Sequence, residues 1–257
     1  MANGDQSIMA LFPSPRIRLH EVFVRAKAVT TTLSIYEDGL RVVPSSATFT
    51  LETPAGTEQI SSESATISGG GELSYAVSAG QIPASLNLSD SYLIRWTVVI
   101  SGVEYTFSRP CAVALSRLYP VITDLDLEAI YSDISSIRSS TLTSYQGFIT
   151  ESFIQIIQRL RDQGNFEYLI MDPQSLRSSH LDLCFYLIWK DMDSSGLGEG
   201  RYLDLAKEHR YQFEAHWKRL KFRYDLDQDN HLEGDDLRSA QPVIYTSNPP
   251  QHYWRRW

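Results

Sequence analysis

Up to about residue 116 the apolar positions alternate with polar ones. Thr48-Phe49-Thr50-Leu51-Glu52 is one such run, and Leu93, Trp96, Val98 and Ile100 lie in another that is rich in aromatic and β-branched residues. Alternation at period two marks strands with one face in a core and the other in water. Glu37-Asp38-Gly39, Thr53-Pro54-Ala55-Gly56, Gly69-Gly70-Gly71 and Ser101-Gly102 punctuate the runs as turns. The pattern predicts strands at about 20–26, 31–36, 46–52, 58–67, 72–78, 92–100 and 103–113. About seven short strands with turns every 8–12 residues predict an all-β sandwich, Ig-like in architecture but without the Cys–Trp–Cys signature.

After Tyr119-Pro120 the period changes to that of helices. Thr123 can accept a backbone N–H at a helix start, and Asp124, Asp126 and Glu128 favour its positive end. Ile149, Phe153, Ile156, Ile157 and Leu160 form one stripe at three- and four-residue steps, closed by Gly164. Leu181 to Trp189 is apolar on nearly all sides, as in a central buried helix. A fourth helix, from about Tyr202 to Tyr224, carries Ala206, Phe213, Trp217 and Leu220 on one stripe. The expected fold class is therefore α+β in two domains: a β-sandwich at 20–116, then a helical bundle at 117–247. An N-terminal arm (1–19) and an aromatic, arginine-bearing C-terminal arm (248–257) flank them.

Charge narrows the function. With 23 basic and 31 acidic residues the net charge is −8, against a sequence-independent nucleic-acid binder, which needs a basic surface. No apolar run approaches the length of a membrane span, and the start lacks the pattern of a secretory signal. The expectation is a soluble protein of a reducing compartment, with Cys111 and Cys184 as two buried thiols.

The sharpest local motif is Asp225-Leu226-Asp227-Gln228-Asp229-Asn230-His231-Leu232-Glu233-Gly234-Asp235-Asp236. Carboxylates at positions 1, 3, 5 and 12 suit a calcium loop of EF-hand type entered by a helix. Asp225, Asp227, Asp229 and Asp236 would supply side-chain oxygens, and His231 its backbone carbonyl. Asn230 replaces the usual glycine, and Asp236 is shorter than the usual Glu. The alternative is a solvated acidic turn that binds nothing, so calcium enters as a structural ion at most and no cofactor is required.

His209 and His216, seven apart on the fourth helix with no matching acid nearby in sequence, read as surface residues of an amphipathic helix. No G-x-S-x-G, P-loop or GxGxxG occurs, so the sequence proposes no active site and no enzyme. The tail packs Tyr253, Trp254, Arg255, Arg256 and Trp257 into five residues. Aromatic and arginine side chains are the commonest anchors of interfaces, which makes these five the interface candidates. A tail docked on its own domain is the alternative.

Pro120-Val121-Ile122-Thr123-Asp124-Leu125-Asp126-Leu127, then a stripe-bearing helix, then Leu181-Asp182-Leu183-Cys184-Phe185-Tyr186-Leu187-Ile188-Trp189, resembles the head–tail adaptor (head-completion or neck connector) proteins of tailed bacteriophages. The resemblance covers about residues 117–257. It implies a non-enzymatic virion protein, made in the host cytoplasm, that forms a twelve-fold ring between portal and tail and extends the DNA channel. Its partners would be the portal protein, tail and neck proteins and its own copies, with DNA only in passage and no membrane. The C-terminal arm would dock on the portal. The β-sandwich is not part of the minimal adaptor and reads as an added module. Other readings are a capsid decoration or tail-surface protein, or a bacterial calcium-stabilised binding module.

Overall fold

A computed structural model describes residues 13–16, 21–138, 142–194, 200–229, 231 and 237–240. The fold is mixed α+β, with sheets in the N-terminal part and helices in the C-terminal part. The chain separates into two compact units. One holds Met1–Tyr119 with Glu167–Met171 and Asp225–Leu232; the other holds Pro120–Phe166, Asp172–Tyr224 and Glu233–Trp257.

In the first unit, ten strands make two sheets. They are β1 (Ser14–Arg16), β2 (Glu21–Val24), β3 (Val29–Glu37), β4 (Leu40–Arg41), β5 (Ser46–Glu52), β6 (Glu58–Ser64), β7 (Thr66–Ile67), β8 (Glu72–Val77), β9 (Ser89–Ile100) and β10 (Val103–Ala114). One sheet runs β1-β3-β8-β7 with β4 also on β3, and the other runs β2-β10-β9-β5-β6. All pairings are antiparallel except β2 with β10. The inward residues of both sheets share one core, in which Leu33, Ile35 and Leu73 from one sheet join Phe49, Ile94, Trp96 and Val98 from the other. Phe49 stacks on Tyr75 at 4.6 Å and meets Trp96 edge-on at 5.1 Å. Truncating a ring so enclosed would cost about 3–5 kcal/mol.

Two local departures from the sequence pattern stand out. The run expected as one strand at 58–67 breaks after Ser64. The backbone of Ser62 is left-handed, the pairing with β5 is irregular, and after Ala65 the chain crosses to pair with β8 in the opposite sheet. Ser14–Arg16, inside the segment expected as an arm, pairs with Ser34–Tyr36 of β3.

The second unit contains α1 (Asp124–Ile130), α2 (Gln146–Asp162), α3 (Arg177–Ser194) and α4 (Arg201–Arg219), then β11 (Lys221–Arg223) paired with β12 (Leu237–Ser239). Helix α3 is the centre, buried from Ser179 through Phe185 and again at Ile188, Trp189 and Met192. Ile122, Leu127, Tyr145, Ile149 and Ala206 close around it. Helix α4 stops at Arg219, five residues before the expected end. From Leu220 the buried residues fall at every second position (Leu220, Phe222, Tyr224) while Lys221 and Arg223 face water, a strand pattern that wins over the helical stripe. Among the described residues no helix is long and apolar enough to cross a membrane.

Candidate functional site

The acidic loop follows β11, so a strand and not a helix enters it, and β12 leaves it. The helix–loop–helix frame of an EF-hand is therefore replaced by a short β-hairpin. Asp225, Asp227 and Asp229 still converge, each with a carboxylate oxygen within 4.8 Å of the others. The loop is organised by its own acids: Asp229 N–H donates to Asp225 Oδ1 (3.2 Å), and His231 N–H donates to Asp229 Oδ1 (2.6 Å). Asp225 is buried, and its N–H donates to Leu169 O (2.9 Å). The left-handed residue is Gln228, the fourth of the loop, with φ 56°, where an EF-hand turns on its sixth.

Asp227 titrates above its ordinary value. A hydrogen bond with Asp225 is the main cause, followed by burial and the negative charges of Asp229 and Asp225. Crowded carboxylates of this kind favour either a shared proton or a cation, and a hard divalent ion is what three carboxylate oxygens suit. Asn230 and Asp236 lie outside the described residues, as do all five arm residues, Tyr253, Trp254, Arg255, Arg256 and Trp257.

The two acids of the Thr123-Asp124-Leu125-Asp126-Leu127 motif work as ties. Asp126 Oδ2 accepts the Thr123 N–H (2.7 Å) and also the Thr123 hydroxyl (2.9 Å), so that hydroxyl donates to the acid rather than accepting from the backbone. Asp126 Oδ1 pairs with Arg177, the first residue of α3. Asp124 Oδ1 accepts the N–H of Tyr145, the residue that opens α2 (3.0 Å). Burial opposes the charge on Asp126, but the hydrogen bonds from Arg177 and Thr123 and the Arg177 charge outweigh it and hold the carboxyl below its ordinary range.

The histidines of α4 correct the surface reading. Asp182, on α3, is the matching acid. Its Oδ1 takes His209 Nδ1 (3.0 Å) and its Oδ2 takes His216 Nδ1 (2.6 Å). With Nδ1–H given to Asp182, His209 Nε2 is left to accept the Tyr131 hydroxyl (2.9 Å). His209 is buried and stacks on Phe185 at 4.8 Å. Burial, then the charges of Asp182 and Glu208, raise the Tyr131 phenol. An Asp–His–Tyr chain has the order of a base and its orienting acid, yet its far end is a tyrosine made harder to ionise. The sequence signal for it was an aspartate in the middle of an apolar run, Leu181-Asp182-Leu183.

Both cysteines are free and buried. Burial pushes the Cys184 thiol up to about 12 and Cys111 further in the same direction, away from the thiolate that nucleophilic chemistry needs.

No family model matches the sequence, and no curated protein matches it. Among solved structures, similarity extends to an engineered protein from a structural-genomics consortium, at 17% identity and TM-score 0.29 over 40% of this chain and 20% of that one. Another is a chimeric titin Z1Z2 functionalised with an exogenous KLER peptide from decorin, at 12% identity and TM-score 0.25 over 43% of this chain and 56% of that one. The chain thus spans a fifth of the first and little over half of the second. Likenesses of that size decide neither fold nor function.

Proposed function

We propose that the chain is a structural virion protein, a head–tail adaptor whose helical unit joins a ring between portal and tail and extends the DNA channel. The observation that carries this reading is the use made of the Thr123-Asp124-Leu125-Asp126-Leu127 opening. Leu127 is buried, Asp124 binds the start of α2 and Asp126 binds the start of α3. The residues on which the family resemblance rests are thus the ones that fasten three helices together, as a structural signature requires. The net charge of −8 agrees with a channel wall along which DNA slides rather than sticks.

The β unit is read as an Ig-like module. Matched to the lettering of that fold, β1-β3-β8-β7 takes the order A-B-E-D, and β10-β9-β5 takes G-F-C. Tyr92, near the start of β9, donates its hydroxyl to the carbonyl of Asn87 (2.7 Å). This is the back-bond of a tyrosine corner at the place the fold puts it. Ile94, two residues on and fully buried, stands where an antibody domain has its second cysteine.

The acidic triad favours one addition, a structural calcium ion held by Asp225, Asp227 and Asp229. A calcium-stabilised binding module outside any virus is the second reading that this site supports. The two are separated by the arm: the double variant Trp254→Ala/Trp257→Ala should fold normally and stop particle completion. Normal tailed particles from that variant would overturn the arm's role as the portal contact.

A further inference from the structure

An apolar groove of about 490 Å³ lies along α3 and α4. Its floor is Tyr186 with Leu203 and Tyr211, the last two 42% and 70% exposed. Leu203, Lys207 and Tyr211 fall at i, i+4 and i+8, one face of α4. Lys190, Lys207 and Arg210 line it. Of the carboxylates close by, Asp204 is taken by Lys207, and Glu214 is shared between Arg159 and Arg210. The groove is therefore apolar at its centre and cationic at its edge.

A surface of the opposite kind exists on the same unit. Residues 121–137 carry four carboxylates and no lysine or arginine. There Leu125 is 75% exposed and Ile130 52%, with Ala129 exposed on the same side as Leu125, one turn on. Single exposed apolar residues are ordinary, but two clusters of matched shape and opposite charge are not.

We propose that the α1 surface of one copy docks into the α3–α4 groove of a second copy. Leu125 and Ile130 cover Tyr186, Leu203 and Tyr211, and Glu128 and Asp133 face Lys190 and Lys207. The two patches share no residue, so the contact is head-to-tail and each copy offers one free groove and one free α1 surface. Such contacts propagate and close into a ring when the rotation allows. The chain's own tail is a poor occupant, since Arg255 and Arg256 carry the sign of the groove. This inference rests on the self-assembly in the reading above, not on the particle.

The test is a disulfide trap in the full chain, with Leu125→Cys and Leu203→Cys combined. Cys111 and Cys184 are buried and give little background. Pairing within one copy is excluded by distance. Asp126 is tied to Arg177 at the head of α3, and the groove begins at Lys190, about 20 Å of helix further on, against a limit of about 7 Å between the Cα atoms of a disulfide. Mild oxidation should convert most of the double variant into a covalent ladder. Each single variant should stay monomeric, and an equimolar mixture of the two should give dimers and nothing larger. Adding Glu128→Lys should reduce the ladder several-fold, and adding Lys190→Glu with it should restore much of it.

Dimers from either single variant would mean a two-fold contact and overturn the proposal. So would a ladder no stronger than that of a control pair, or a ladder abolished by a single-stranded oligonucleotide that binds the groove. A ladder with no copies in particles would keep this interface and remove the adaptor reading; a dozen copies without a ladder would do the reverse.

Discussion

His216 Nδ1 donates to Asp182 Oδ2 at 2.6 Å, across 34 residues of sequence and from one helix to its neighbour. The other oxygen of that carboxylate holds His209, so one buried aspartate fastens two turns of α4 to the middle of α3. An acid in an otherwise apolar helix is expensive unless both oxygens find donors, and here both do.

Asp182→Leu should therefore destabilise more than its gain in apolar surface suggests. His209 would keep a buried N–H with no acceptor, a loss of about 1–3 kcal/mol. His216 is partly exposed, so His216→Ala should cost less. Denaturant unfolding followed by helical circular dichroism checks the order. Equal losses from the two variants would mean that Asp182 acts through packing alone.

His180 gives the fold a pH dependence of stated sign. Burial lowers its titration to about 4, only partly offset by its hydrogen bond to Ile149 O. The ring Nδ1 is buried without a partner. The unfolded chain binds a proton near the ordinary value of about 6.5, which the native state refuses until about 4. Stability is complete above about 6.5 and is lost as pH falls toward 4, by about 3 kcal/mol in all. Asp126, held below its ordinary range, adds loss in the same direction at lower pH. His180→Leu should flatten the slope between pH 6.5 and 4, whatever it does to stability at neutral pH. An unchanged slope would assign the acid sensitivity elsewhere.

The loop at 225–236 should answer to calcium. If the triad binds the ion, millimolar calcium raises Tm and a chelator reverses the rise. Asp227→Asn should abolish that response. It also removes one of three crowded carboxylates, so without calcium the variant should be at least as stable as the parent. A Tm indifferent to calcium in the parent would make the triad a self-capped acidic turn.

The central strands and helices are legible in the sequence because each repeats its period several times over. Thr48–Glu52, Leu93–Ile100 and the Ile149–Leu160 stripe all lie where the pattern puts them. What escapes is local or distant. The break at Ala65 turns on the backbone of Ser62, which no period reports. The end of α4 is obscured because Leu220 and Tyr224 satisfy a helical and an alternating pattern at once. Asp182 and the histidines are 27 and 34 residues apart, so only packing of α3 on α4 unites them. The acidic triad was visible by spacing alone, but the strand that enters it was not, since Lys221–Arg223 is too short to declare a period.

The most direct test of the adaptor reading is the number of copies of this chain in purified virions of its source, measured by quantitative mass spectrometry against the major capsid protein. About a dozen copies per particle is the result expected of a ring at the neck. Hundreds of copies would make it a decoration protein of the shell, and none at all would contradict the virion role and leave the calcium-stabilised binding module.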